Sequence, residues 1–184
     1  QIGSAGDFNY LHDGTSDWTA EFFVRSDQLN HRQTVFSTGG NSSSIGFACR
    51  IMEDGATGGS NGYKVFCQFS RGASGNYLGF EGGVIDNKDF SHVALVFTTS
   101  NKQLAIYING QLTNSSDLDG TAANTFGSGD FSSSNSTYAF TIGRENFGTT
   151  LYMDSGFISN LRIVEGETVY TADFTPPTTE LTII

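Results

Sequence analysis

Residues 138–182 read YAFTIGRENFGTTLYMDSGFISNLRIVEGETVYTADFTPPTTELT. Within this stretch Ala139 to Ile142 and Phe157 to Val164 have the β-branched and aromatic content of strands, and a Gly- and Asn-containing loop lies between them. The pair Pro176–Pro177 removes two backbone donors and ends regular pairing.

Working outward, the same short alternating runs recur along the chain. They are Thr19 to Val24, Gln33 to Thr38, Ile45 to Ile51, Tyr63 to Phe69, Val93 to Thr98 and Gln103 to Ile108. Each is bounded by Gly, Asn, Asp or Ser, and helical periodicity is hard to find anywhere. HVALVFTT, from His92, is apolar on both faces, as a strand is when other structure covers it twice. Asn109–Gly110 in YINGQL is the strongest hairpin signal, because a two-residue turn needs positive φ at both positions. About a dozen strands without a substantial helix predict an all-β antiparallel jelly-roll β-sandwich, one domain over residues 1–184.

Composition agrees. The 23 glycines and only 2 prolines suit many tight turns, and 16 phenylalanines supply a two-sheet interior. A net charge of −10, with only nine Lys and Arg and no basic run, argues against nucleic acid as a partner. No apolar run approaches 18 residues, so no membrane insertion by a helix is expected.

The C-terminal block closely resembles laminin G-like domains of the concanavalin A-like lectin/glucanase superfamily, in particular those carried on bacteriophage virion and tail proteins. The order GFISNLRI, a Gly turn, then VYTADFTPP carries the likeness. Further pieces join it: DFNYLHDGTSDWTAEFFVRSD, similar to an opening strand, a polar loop and a second strand; QTVFSTGG; FSHVALVF; and LAIYINGQL. The resemblance runs from about Phe8 to Thr182. It implies a rigid sandwich that presents loops rather than a reaction centre, and it leaves the ligand open.

Catalysis finds little support. Retaining glucanases of this superfamily set acids at alternate positions of one strand. The nearest spacings here, Asp117/Asp119 and Glu165/Glu167, fall in Gly-containing turns and read as solvated acids. His12, His31 and His92 show no metal or catalytic spacing; His92 is expected to be a structural, hydrogen-bonded residue, and Arg144 and Arg162 to bridge carboxylates across strands. Calcium is the cofactor this superfamily suggests. Loop acids Asp117, Asp119, Asp130 and Asp154 are the oxygen ligands it would take, against a plainer reading as surface acids.

Glycan binding calls for an aromatic platform beside amide and carboxylate groups. Tyr77, Phe126, Phe131, Asn146, Phe147 and Tyr152 are the rim residues offering one, although each aromatic would serve equally to close the core. The acidic surface favours neutral or basic ligands over sulfated ones. Cys49 and Cys67 face each other if the intervening hairpin centres near Gly58, either as a disulfide or as two buried thiols.

Two classes of function remain. One is a non-enzymatic module at a virion surface or in an extracellular setting, with virion or tail subunits and cell-surface glycans as partners; a purely structural spacer is its plainer form. The other is a secreted carbohydrate-active enzyme or its accessory domain. The closing TPPTTELTII is expected to return as an extended strand whose apolar end packs on a partner subunit.

Overall fold

The computed structural model describes residues 2–27, 32–39, 43–53, 63–72, 77–85, 89–113, 131–145 and 151–182. Among them are one short helix, α1 (Tyr10–Asp13), and ten strands. The strands are β1 (Trp18–Ser26), β2 (Gln33–Ser37), β3 (Ile45–Glu53), β4 (Tyr63–Arg71), β5 (Tyr77–Ile85), β6 (Ser91–Thr98), β7 (Gln103–Ile108), β8 (Gln111–Leu112), β9 (Thr141–Ile142) and β10 (Gly156–Glu165). They form two five-stranded sheets, ordered β10-β1-β6-β7-β8 and β5-β4-β3-β2-β9, and every pairing is antiparallel. This is the jelly-roll sandwich that the alternating runs predict.

Period-two alternation decides which side chains enter the space between the sheets. From the first sheet come Trp18, Phe22, Val24, Val93, Leu95, Phe97, Leu104 and Ile106; from the second come Phe36, Phe47, Ile51, Val65, Phe69 and Phe80. The aromatics meet in both edge-to-face and stacked pairs: Phe47 meets Phe69 edge-on at 4.8 Å and Trp18 edge-on at 5.5 Å, and Trp18 stacks on Phe97 at 5.9 Å between ring centres. Such pairs add to the area they bury and hold the sheets in one register.

Cys49 lies opposite Cys67 in a register centred on position 58. Both are buried free thiols, so of the two readings left open by the sequence the structure has the unbridged one. Burial, and then the hydrogen bond to Cys49, pushes the Cys67 thiol well above its usual range.

β6 lies at the middle of its sheet and is covered twice, as its two-faced apolar pattern anticipates. Its outer residues Ala94 and Val96, with Tyr107 of β7, form a second small core under Tyr170 and Phe174. Those two rings stack at 3.6 Å and nearly parallel. Asn109 and Gly110, with φ of 50° and 79°, form the tight turn between β7 and β8. The Gly110 carbonyl accepts a hydrogen bond from Phe174 N at 2.9 Å. Residues 167–182 thus form a strap over the outer face of the first sheet.

Two expectations need correction. The opening segment is not a strand: Asp7 accepts hydrogen bonds from the backbone N and hydroxyl of Ser4, and the chain turns into α1, which ends at the left-handed Gly14. Local side-chain to backbone bonds win there over ladder formation. The segment 175–182 is likewise not a strand, and the apolar end at Ile183 and Ile184 lies outside the described residues. Residues 175–182 join no ladder, and the strap is fixed by single bonds such as Arg162 Nη1 to Thr182 O at 2.7 Å.

Candidate functional site

The rim residues expected to bind glycan are only partly within view. Phe126, Asn146 and Phe147 lie outside the described residues, as do the acids Asp117, Asp119 and Asp130. Tyr77 opens β5, paired with Ser70 of β4. Tyr152 is an exposed aromatic whose backbone bridges to Arg144. Phe131 is half-buried against the main core, edge-on to Phe97 at 5.6 Å and with the Lys102 ammonium 5.7 Å above its ring. Its ring also packs where a side chain at Gly14 would stand, so it is engaged in closing the sandwich end. Asp154 is exposed, and among the described residues no three His, Cys, Asp or Glu side chains gather as a metal site.

The described residues instead build a site on the outer face of the first sheet, where β1 and β10 run beside the strap. The pairing of β10 with β1 slips here: Glu21 faces Arg162, but Phe23 faces Ser159. β10 therefore carries one extra residue, a β-bulge, and Asn160 takes a left-handed φ of 52°. A bulge breaks strict alternation, so Ser159 and Asn160 are successive residues that both stand in solvent. Ile158 and Leu161 on either side pack toward the core and fix the distortion.

A cleft of about 470 Å³ opens over the bulge, lined by Phe23, Phe90, Ser159 and Asn160 and, from the strap, Pro177 to Glu180. That volume falls within the range of small-ligand sites. Phe90, just before β6, and Phe157, near the start of β10, are 45% and 52% exposed and lie 6.4 Å apart between ring centres. The Arg25 guanidinium sits over both, 4.5 Å from the Phe157 centre and 5.6 Å from that of Phe90, and is itself paired with Asp27 at 3.0 Å. Arg25 thus rivets the two rings into one shelf that leaves about half of each exposed.

Beneath the strap a buried polar group fixes this face. Glu21, 1% exposed, receives Arg162 on one carboxylate oxygen, and His92 Nε2 at 3.1 Å and Tyr170 Oη at 2.8 Å on the other. Since a carboxylate only accepts, His92 carries its proton on Nε2. Burial by itself would raise the Glu21 carboxyl, but the hydrogen bonds from His92, Arg162 and Tyr170 outweigh it and hold the group below the ordinary carboxylate range. Tyr170 is pushed far up by burial and by its bond to Glu21. The hub pins Tyr170, and so the strap, to β1, β6 and β10. Sequence reading had given His92 and Arg162 structural roles, and they hold them here around one carboxylate.

The chain matches a family of laminin G type, described as the concanavalin A-like lectin/glucanases superfamily, over residues 4–168. It belongs to that family. No curated protein sequence matches it. Among solved structures it is similar to the CBM40 domain of the Ruminococcus gnavus IT-sialidase bound to α2,3-sialyllactose, at 17% identity and TM-score 0.54, covering 84% of this chain and 78% of that one. A candidate carbohydrate-binding protein of Bacteroides ovatus is similar at 22% identity and TM-score 0.54, over 82% of this chain but only 38% of its own. Botulinum neurotoxin type C, whose way into cells is dependent upon interaction with two ganglioside molecules, is similar at 12% identity and TM-score 0.54, over 88% of this chain and 35% of that one. At these identities the likeness shows the fold alone.

The shelf escaped sequence reading because Phe23, Arg25, Phe90, Phe157 and Glu180 come from four separate stretches. Only one signal was available: in GFISNL the alternate positions 157 and 159 hold Phe and Ser, an aromatic next to a hydrogen-bonding group.

Proposed function

We propose that this protein is a non-catalytic carbohydrate-binding module displayed on the outside of a virion, as a decoration, fibre or tail appendage, where it attaches the particle through weak, repeated glycan contacts. One observation carries the binding reading. An open cleft joins an aromatic shelf to a cluster of hydroxyl, amide and carboxylate groups on a rigid sheet, the combination a pyranose ring requires. Supporting it, the similar structures include domains whose names state glycan or ganglioside partners. The virion setting rests on the phage-type block GFISNLRIVEGETVYTADFTPP. Single contacts of this size are weak, and many copies on one particle raise the avidity by orders of magnitude, about 10²–10⁴.

The test uses the whole chain displayed in several copies on a bead. Binding to a glycan array without release of reducing ends from the bound sugars is the expected result. An array without hits at high display density favours a structural spacer, and turnover of a β-glucan favours an enzyme. Mass spectrometry finding the chain only in host cytoplasm, never in particles or at a cell surface, overturns the virion setting.

A further inference from the structure

We infer that the cleft over the β10 bulge, between Phe90, Asn160 and Glu180, is the sugar-binding site, and that it takes a neutral pyranose in preference to a carboxylated or sulfated one. The inference rests on the glycan-binding reading and gives it a place on the outer face of the first sheet, on residues other than the aromatics expected from sequence.

Three observations converge on the site. The first is the shelf: the exposed rings of Phe90 and Phe157, held by Arg25, offer an apolar surface to the C–H face of a sugar. The second is the bulge. It turns Ser159 and Asn160 outward together, which ordinary strand alternation forbids, and a non-glycine residue at φ 52° is a locally costly conformation of the kind found at binding sites. The Asn160 amide can both donate to and accept from a hydroxyl, and Ser159, Thr178 and Thr179 can do the same. The third is charge. Glu180 lines the cleft, while Arg25 is matched to Asp27 and Arg162 to Glu21. A carboxylate accepts hydrogen bonds from sugar hydroxyls but repels a sugar carboxylate, and with the two arginines engaged nothing in the lining offsets that repulsion.

The test presents lactose, cellobiose and maltose beside 3′-sialyllactose on a biosensor at equal density, with the biotinylated protein assembled on streptavidin. At least one neutral disaccharide is expected to bind, and sialyllactose to bind about fivefold less than lactose, as one exposed like charge accounts for. Phe90→Ala, which removes the exposed aromatic of the cleft lining, should lower neutral binding about tenfold, the worth of one aromatic contact. Asn160→Gly removes the amide but suits the left-handed backbone, so a loss of binding with an unchanged melting temperature isolates the amide. Glu180→Gln should narrow the gap between lactose and sialyllactose. If a neutral sugar binds but F90A and N160G leave it unchanged, the site is wrong and the glycan reading stands. If sialyllactose binds as well as lactose and E180Q changes neither, the charge selection is wrong. If none of the four sugars nor any other glycan on an array binds, both readings fail.

Discussion

At the residue scale, Glu21 ties the outer face of the first sheet together. It is buried on a strand whose outward positions would ordinarily be solvated, and three donors from β6, β10 and the strap converge on it. Removing its charge leaves Arg162 without its partner, and Glu21→Gln is expected to cost about 3 kcal/mol in urea denaturation at pH 7. Because the folded carboxyl lies below its ordinary value of 4.5, its stabilisation is complete above that value and is lost as pH falls through the folded pKa. His12 adds to acid sensitivity from higher pH. Burial holds it below the ordinary 6.5 despite its bond to the Ser134 carbonyl, so the unfolded chain takes up the proton first and stability falls as pH drops below 6.5. Replacing His12 with Gln, which keeps a donor for Ser134, should flatten the decline in stability just below pH 6.5. A decline of unchanged slope there would assign it to other groups.

At the scale of elements, how far the sequence reached depended on glycine. Eight strands were legible because alternating Phe, Val and Ile runs have a single solution as a half-buried strand, and a carboxylate partner across the sheet for Arg162 followed from its strand position, though not that it would be Glu21. β5 was not, since Gly79, Gly82 and Gly83 blank out its pattern. The structure explains two of them: a Cβ at Gly82 would press on Ile106, and one at Gly83 would lie 2.8 Å from Thr113 Cβ. Glycine here serves close approach between β5 and the β7–β8 hairpin, so packing and not strand propensity chose the residue. The bulge in β10 was equally hidden, because no residue type announces a register slip. Gly110 tests the strap as an element. A side chain there would strike the Phe174 carbonyl and would stand at φ 79°. Gly110→Ala should therefore destabilise the protein by about 2 kcal/mol, and hydrogen exchange at Val169 to Phe174 should speed up more than in β1. Equal acceleration in both would mean the strap and sheet open as one unit.

At the scale of the whole molecule, the sandwich is a stiff platform and the net charge of −10 sets the company it keeps. Two sheets share one phenylalanine-rich interior, so the shelf, the bulge and the strap are fixed relative to one another by the core beneath. Fold class was readable because it depends on the periodicity of the entire chain. The site was not, because it depends on which distant residues one face brings together: Phe23, Phe90 and Asn160 are neighbours only once β1 has paired with both β6 and β10. Acidic character and the Glu180 wall lead to a further expectation at this scale. Raising the salt concentration should leave binding of a neutral disaccharide nearly unchanged and should strengthen binding of a sialylated one, by screening over about 8–10 Å. A steep loss of neutral-sugar binding with salt would point to a charge-driven contact elsewhere.

The most direct measurement is an amide chemical-shift map of the isotopically labelled protein titrated with lactose, cellobiose and maltose. Shifts concentrated at Phe23, Phe90, Phe157 to Asn160 and Thr178 to Glu180 are what a sugar seated over the bulge produces. Shifts confined to Tyr77, Phe126, Phe147 and Tyr152, with the cleft silent, would contradict it.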